Sequence, residues 1–303
     1  MAAPERQRDP DAEFVGTFRE PPAFEDLSER MAVKLTSMLR LTGPPHYELW
    51  QREIGGPHFK ERTGQFLPIY HLDVEVTDAP IETRQMLDVA VRIRLGKEIG
   101  ADGRVERLLS EADTELTAPT AAGGRVRLGR TRKQSIFTRA DPDPARRRVT
   151  TLHPSFGLGE LPRRELRAVK PDELLAPPAD GRHLGALGPG PSHAWSYQQT
   201  DPNRHVHAME YLRVVEAFAT TELARAGRLP ADYLIARARI VFRRPCFSGE
   251  WYRVTGERWA VPGPGGEEIV AAVHPIAGPD AAPTGRPATI VRLAIRARPA
   301  AGR

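Results

Sequence analysis

The chain has 303 residues, 40% hydrophobic and 27% charged, with a formal charge of +5 and a single cysteine, Cys246. That composition fits a globular chain of one large or two small domains, and it excludes a low-complexity or disordered one. It also excludes an internal disulfide and a zinc site built from several thiolates. No run approaches the roughly 18 apolar residues of a membrane-spanning helix. The opening Met1-Ala2-Ala3-Pro4-Glu5-Arg6 lacks the apolar core of a signal peptide, so the cytoplasm is the expected location, with no membrane partner. All but five of the 44 basic residues are arginine, a bias that a GC-rich genome alone produces. Two clusters stand out, Arg125 to Lys133 and Arg146-Arg147-Arg148. They are either a docking face for a polyanion or acidic carrier, or a solvated strand face and loop. No aromatic residues interleave with them, so nucleic acid is not an expected partner.

In chain order, residues 1 to 24 read as a loose polar arm. Phe24 to Leu41 places Leu27, Met31, Leu35, Met38 and Leu39 at helical spacing. Pro44-Pro45 then opens a second helical piece that Gly55-Gly56 would close. The period changes to two over Ile69–Val76 and again over Met86–Leu95, with further strands over Val105–Leu116 and Gly124–Thr138. A connector rich in Pro and Gly runs from 153 to 192. Ala194–Gln199 reads as a short strand. His207–Ala226 is the strongest helix, with Met209, Leu212, Val215, Ala219 and Leu223 on one stripe. Strands follow at Leu234–Phe242, Trp251–Val261, Glu268–Ile276 and Ala288–Ala297. Residues 25–152 and 193–303 therefore each read as one helix plus an antiparallel meander, two α+β units in tandem.

The chemistry concentrates in Thr200-Asp201-Pro202-Asn203-Arg204-His205-Val206-His207-Ala208, between a short strand and the strongest helix. A helix N-terminus presents unpaired N–H groups and a partial positive charge, suited to an oxyanion. A carboxylate there can activate water or attack directly. Asp201 or Asn203 can equally be a helix cap in a turn. Capping accounts for one polar residue, not for three.

The spacing Asp201-x-Asn203-x-His205-Val206, with Tyr211 one turn on, resembles the signature of hotdog-fold acyl thioesterases. It is most similar to the tandem fatty acyl–acyl carrier protein thioesterases, whose reactive motif lies in the C-terminal repeat. Ile240-Val241-Phe242-Arg243-Arg244-Pro245-Cys246 is similar to that family's strand ending Arg-Arg-Glu-Cys. The resemblance implies a double hotdog in which each antiparallel sheet wraps a central helix. It makes Asp201 the base or nucleophile, Asn203 an orienting group and His205 an activator of the nucleophile. Backbone N–H groups of Val206, His207 and Ala208 would polarise the thioester carbonyl, and Tyr211 and Arg204 would line the site. The implied substrate is an acyl-CoA or acyl–acyl carrier protein thioester of fatty acid or polyketide metabolism. No cofactor and no metal are expected, and a homodimer stays open. The N-terminal repeat, lacking the motif, would shape the acyl pocket.

Three positions depart from the family pattern. His207-Ala208 replaces Asn-Asn, Arg204 replaces a common glycine, and Pro245 replaces the acidic residue before the cysteine. His153-x-x-x-Gly157-x-x-x-x-Pro162 also fits a spacing found in polyketide dehydratases, although three fixed residues in a Pro/Gly-rich connector arise readily by chance. The competing functions are a dehydratase or acyl-transfer enzyme on carrier-bound chains, and a non-catalytic acyl-binding hotdog.

Overall fold

A computed structural model describes residues 9–56, 58–141, 143–158, 161–263 and 265–298. The chain forms two compact units. The first comprises residues up to Val33, Ser37–His71 and Ala79–Ala168. The second comprises Lys34–Thr36, Leu72–Asp78 and Val169 onward.

In the first unit, β1 (Phe14–Glu20) precedes α1 (Ser37–Trp50), the short α2 (Phe59–Thr63) and β2 (Gln65–Phe66). After β3 (Ile69–Val76) come β4 (Leu87–Ile99), β5 (Val105–Pro119), β6 (Arg125–Ile136) and β7 (Thr138–Arg139). The order β1-β4-β5-β6 is antiparallel at each step, and β2 pairs with β7 separately. Alternation decides the faces. Val89, Val91, Ile93 and Leu95 of β4 are buried toward α1, whereas Arg94 lies on the reverse face with Glu111, Asp113, Arg130 and Arg132. Trp50, Phe59, Phe137 and Phe156 close one end of this core through tilted and edge-to-face ring contacts, at centroid separations of 5.0–6.2 Å.

In the second unit, α3 (Pro171–Leu175), β8 (Arg182–Leu187) and β9 (His193–Ala194) precede α4 (Ala208–Arg225). β10 (Tyr233–Phe242), β11 (Trp251–Ala260), β12 (Glu267–Ile276) and β13 (Thr289–Ala297) complete it. Its strands run β3-β10-β13-β12-β11-β8, with β9 also on β11. α4 buries Tyr211, Leu212, Val215, Phe218, Ala219 and Leu223 and packs on β11, β12 and β13. Gly256 of β11 lets that helix approach: a Cβ there would sit 3.2 Å from the Phe218 ring and from Val270 O.

Several expectations are corrected. Part of the expected arm is β1, paired along its length with β4. The helix expected over 24–41 begins only at Ser37, and Leu27 and Leu35 are buried from non-helical backbone. Met31 lies at φ 60°, outside the helical region. Pro44-Pro45 sits inside α1 rather than at the head of a second helix. Ala194–Gln199 is β9 followed by a 3₁₀ turn over Tyr197–Gln199. The connector contains α3 and β8, and Leu72–Asp78 groups with the second unit. The end of the expected arm before Asp9, and the last five residues, lie outside the described residues.

Candidate functional site

The strand-to-helix junction is a closed turn. Thr200 and Val206 bridge across it, and His205 bridges to Phe247 on the neighbouring loop. Asp201 N–H donates to His205 O at 2.8 Å, and Asp201 Oδ1 accepts from the amides of Asn203 (2.8 Å) and His205 (3.3 Å). Asp201 thus organises the loop that carries Asn203 and His205, as a short carboxylate at a turn does. No donor among the described residues reaches its other oxygen, Oδ2. Asp201 and His205 are half-buried and Asn203 is exposed. The His205 ring meets Phe247 edge to face at 5.2 Å.

Arg204 occupies the left-handed region, φ 65°. Only glycine adopts that conformation without strain, which gives the glycine of the family pattern a backbone reason.

His207 caps α4. Its Nδ1 accepts from Met209 N–H at 3.3 Å, so the imidazole satisfies one orphan donor of the first turn. This corrects the expected row of carbonyl-polarising amides. Val206 N–H donates to Cys246 O and His207 N–H to Gln199 O, each at 2.8 Å. Both are consumed in building the junction. Ala208 is the remaining candidate of the three.

Tyr211 is buried, and its hydroxyl accepts from Cys246 N–H at 2.9 Å. Burial, together with the neighbouring Cys246, pushes the phenol above its usual range. Tyr211 therefore ties α4 to the Arg243-Arg244-Pro245-Cys246 segment and does not line an open site. Burial likewise raises the Cys246 thiol, which marks a packed, unreactive cysteine. Beneath the turn, Trp195 stacks on Tyr252 at 4.0 Å and meets Tyr211 at 5.1 Å. Burial, with the Glu210 charge nearby, pushes the Tyr252 phenol up to about 12. Gln199 donates to Glu210, which also pairs with Arg213.

The sequence reading did not single out Glu216. Burial raises its carboxyl above the usual range, against the opposing effects of Lys34, Thr36 and Arg213. It stands beside Val215 on the shoulder of the buried stripe, which is the signal that would have found it. Eight residues along the helix put it about 12 Å beyond Ala208. His153 falls in the first unit, ahead of a 3₁₀ turn at Pro154–Phe156, while Asp201 falls in the second. The arginine cluster is largely a paired strand face: Arg130 and Arg132 both bind Asp113, and Arg125 binds Asp88. Among the described residues no group of His, Cys, Asp and Glu is placed to hold a metal, and no helix is long and apolar enough to cross a membrane.

No protein-family model and no curated protein sequence matches the chain. Solved structures do. A Lactobacillus plantarum protein described as an oleoyl thioesterase superposes with TM-score 0.62 at 11% identity, over 95% of this chain and 96% of that one. A 12:0-ACP thioesterase from Umbellularia californica gives 0.61 at 12% identity, over 94% and 95%. The chain has the double-hotdog fold. A MaoC-like dehydratase also aligns, with TM-score 0.50 at 14% identity, over 88% of this chain and 84% of that one. At these identities the likeness is one of fold, and hotdog architecture serves both hydrolysis and dehydration. The helix of the second hotdog is α4, with the Asp201–His205 turn at its head, and that of the first is α1.

Proposed function

We propose that the chain is an acyl thioesterase acting on an acyl-CoA or acyl–acyl carrier protein thioester. The observation that carries this reading is the Asp201–Asn203–His205 turn at the head of the central helix, in a chain whose solved structural neighbours include named thioesterases. Asp201 Oδ1 is held by two amides of its own loop, and no donor among the described residues reaches Oδ2. That oxygen is suited to take a proton from water, or to attack the thioester carbonyl carbon. With water as nucleophile, its oxygen adds to the carbonyl carbon, the C–S bond breaks, and the proton taken by Asp201 passes to the leaving thiolate. With Asp201 as nucleophile, the C–S bond breaks to leave an acyl–Asp201 anhydride, which water then hydrolyses, protonating the thiolate and freeing Asp201. Both routes consume one water and yield a free thiol and a carboxylic acid. His205 positions the nucleophile and Asn203 the reacting carbonyl. Arg204 in the turn and Arg244, which pairs with Glu250 at 3.6 Å, supply positive charge beside it for a phosphate-bearing pantetheine arm. Pro245 offers no acid where the family pattern has one, so turnover slower than that of enzymes retaining it is the expectation.

The test is free-thiol release from a panel of acyl-CoAs and one acyl carrier protein conjugate, by wild type and Asp201→Asn. Release that falls at least a hundredfold in the variant, with unchanged melting temperature, supports the assignment. Release that survives the substitution overturns Asp201 as the reacting group. Carrier-bound product without free thiol would instead favour a dehydratase or acyl-transfer enzyme, and ligand binding with no turnover a non-catalytic hotdog.

A further inference from the structure

No hydrogen-bond partner among the described residues reaches either ring nitrogen of His205. An imidazole with both nitrogens free turns about its side-chain bonds unless packing stops it. What packs on it is Phe247, whose ring meets it edge to face, with centroids 5.2 Å apart and planes at 82°. The backbone imposes that meeting. His205 and Phe247 bridge across their two loops, and the next residue, Val206, donates its N–H to Cys246 O at 2.8 Å. The turn that carries Phe247 is fastened at both ends. Glu250 N–H donates to Phe247 O at 3.1 Å, and Phe247 N–H donates to the Glu250 carboxylate at 3.3 Å. Trp195 holds the same turn from its other side: its N–H donates to Glu250 O at 3.0 Å, and its carbonyl accepts from Gly249 N–H at 2.8 Å. Gly249 stands at φ 84°, where a side chain would be strained.

For all that fastening, Phe247 is 42% exposed. A phenyl ring left so far in water contributes little to the core, so burial alone gives no reason for an aromatic residue there. We infer that Phe247 is a positioning residue for the reaction, which acts by holding the His205 imidazole in one orientation. A hydrogen bond would do the same at the cost of a nitrogen. An aromatic edge contact fixes the ring plane through its quadrupole and leaves both nitrogens for the nucleophile. Leucine is as apolar and nearly as large, but it lacks that directional preference. The catalytic meaning of the contact rests on the proposed function; the orientation of the ring does not.

The experiment compares wild type, Phe247→Leu and Phe247→Tyr in the full chain, by thiol-release kinetics on the acyl thioester that wild type turns over fastest. Phe247→Leu should lower kcat about three- to tenfold, the worth of one edge-to-face pair, with KM and melting temperature little changed. Phe247→Tyr, which keeps the ring, should restore kcat to within about twofold of wild type. Equal kcat in wild type and Phe247→Leu would overturn the inference. So would a loss of kcat and melting temperature together in both variants, which is the signature of packing. The second measurement is NMR of the histidine rings, with His205 assigned by the signal lost in His205→Gln. Wild type and Phe247→Tyr should share one set of His205 ring shifts, with nuclear Overhauser contacts to the aromatic ring of residue 247. In Phe247→Leu those shifts should move toward free-histidine values. A wild-type His205 ring without contact to Phe247 would overturn the inference whether or not the protein turns over. Wild type that releases no thiol would instead sink the hydrolytic reading, with the ring contact decided by the NMR result alone.

Discussion

Replacing Lys133 by Met should make the protein more stable at neutral pH. Methionine keeps the length of the aliphatic stem and removes the amine that burial holds down to about 7, from an ordinary value of 10.5. A base whose folded value lies below its unfolded value binds fewer protons when folded. Stability therefore rises with pH between about 7 and 10, and the full penalty is present below 7. At about 1.4 kcal/mol per unit, the ceiling on that penalty is about 5 kcal/mol. The half-buried position of Lys133 lets water relax part of it, so a gain of about 2–3 kcal/mol is expected. Urea denaturation of wild type and Lys133→Met at pH 6, 7, 8, 9 and 9.5 measures it. The gap between the two should be widest at pH 6–7 and narrow toward pH 9.5. Other groups titrate in this window: Cys246, Tyr211 and Tyr252 have raised folded values and pull stability down at high pH. They do so equally in both proteins. His46 does not, because burial and the Lys133 charge together lower its imidazole, so the gap at pH 6 also carries its relief, and the change above pH 7 reports Lys133. A variant less stable at pH 7, or a gap independent of pH, would refute the reasoning.

The remaining predictions concern the junction and the arginine face. Tyr211→Phe strands the Cys246 amide in the core without its acceptor. It should cost about 1–3 kcal/mol in urea denaturation, and an unchanged midpoint would show that another acceptor replaces the hydroxyl. At Asp113, burial raises the carboxyl, but the hydrogen bonds and charges of Arg130 and Arg132 outweigh it and hold the group below its ordinary value. A depressed carboxyl stabilises above its unfolded value and loses that contribution as pH falls through the folded one. Wild type should thus lose on the order of 1 kcal/mol below about pH 4 that Asp113→Asn has already lost at pH 7. Parallel acid-denaturation curves for the two would contradict this.

Period-two patterning made β3, β4, β5, β6 and β10 to β13 legible within one or two residues at most ends, because each strand has one face in a core. β1 escaped because its parity is inverted: Val15 is 58% exposed while Gly16 points inward over Leu49. Helical spacing over Phe24–Leu41 misled for a different reason. Leu27 and Leu35 are buried by an irregular segment whose path, including the φ 60° at Met31, tertiary contacts impose. At the candidate site, the Asp201–His205 turn is local chemistry and could be read directly. The fate of the Val206 and His207 amides could not, because their acceptors include Cys246 O, 40 residues away. Lys133 was grouped with its arginine neighbours, yet strand parity separates them. Arg130 and Arg132 share the outward face with Asp113, and Lys133 falls on the other.

The membership of Leu72–Asp78 in the second unit has a consequence for synthesis. β3 must wait for β10: Asp73 and its partner Arg237 are 164 residues apart. At about 5–20 residues per second the ribosome takes roughly 8–33 s to bridge that interval. Throughout it a hydrophobic strand lacks the neighbour it will keep. Asp73 and Glu75, which later share Arg237, lie on alternate positions of that strand. Before Arg237 exists they are uncompensated like charges, and two nascent copies of β3 aligned edge to edge would repel each other. The residues that fasten the finished strand are thus the ones that guard it on the ribosome.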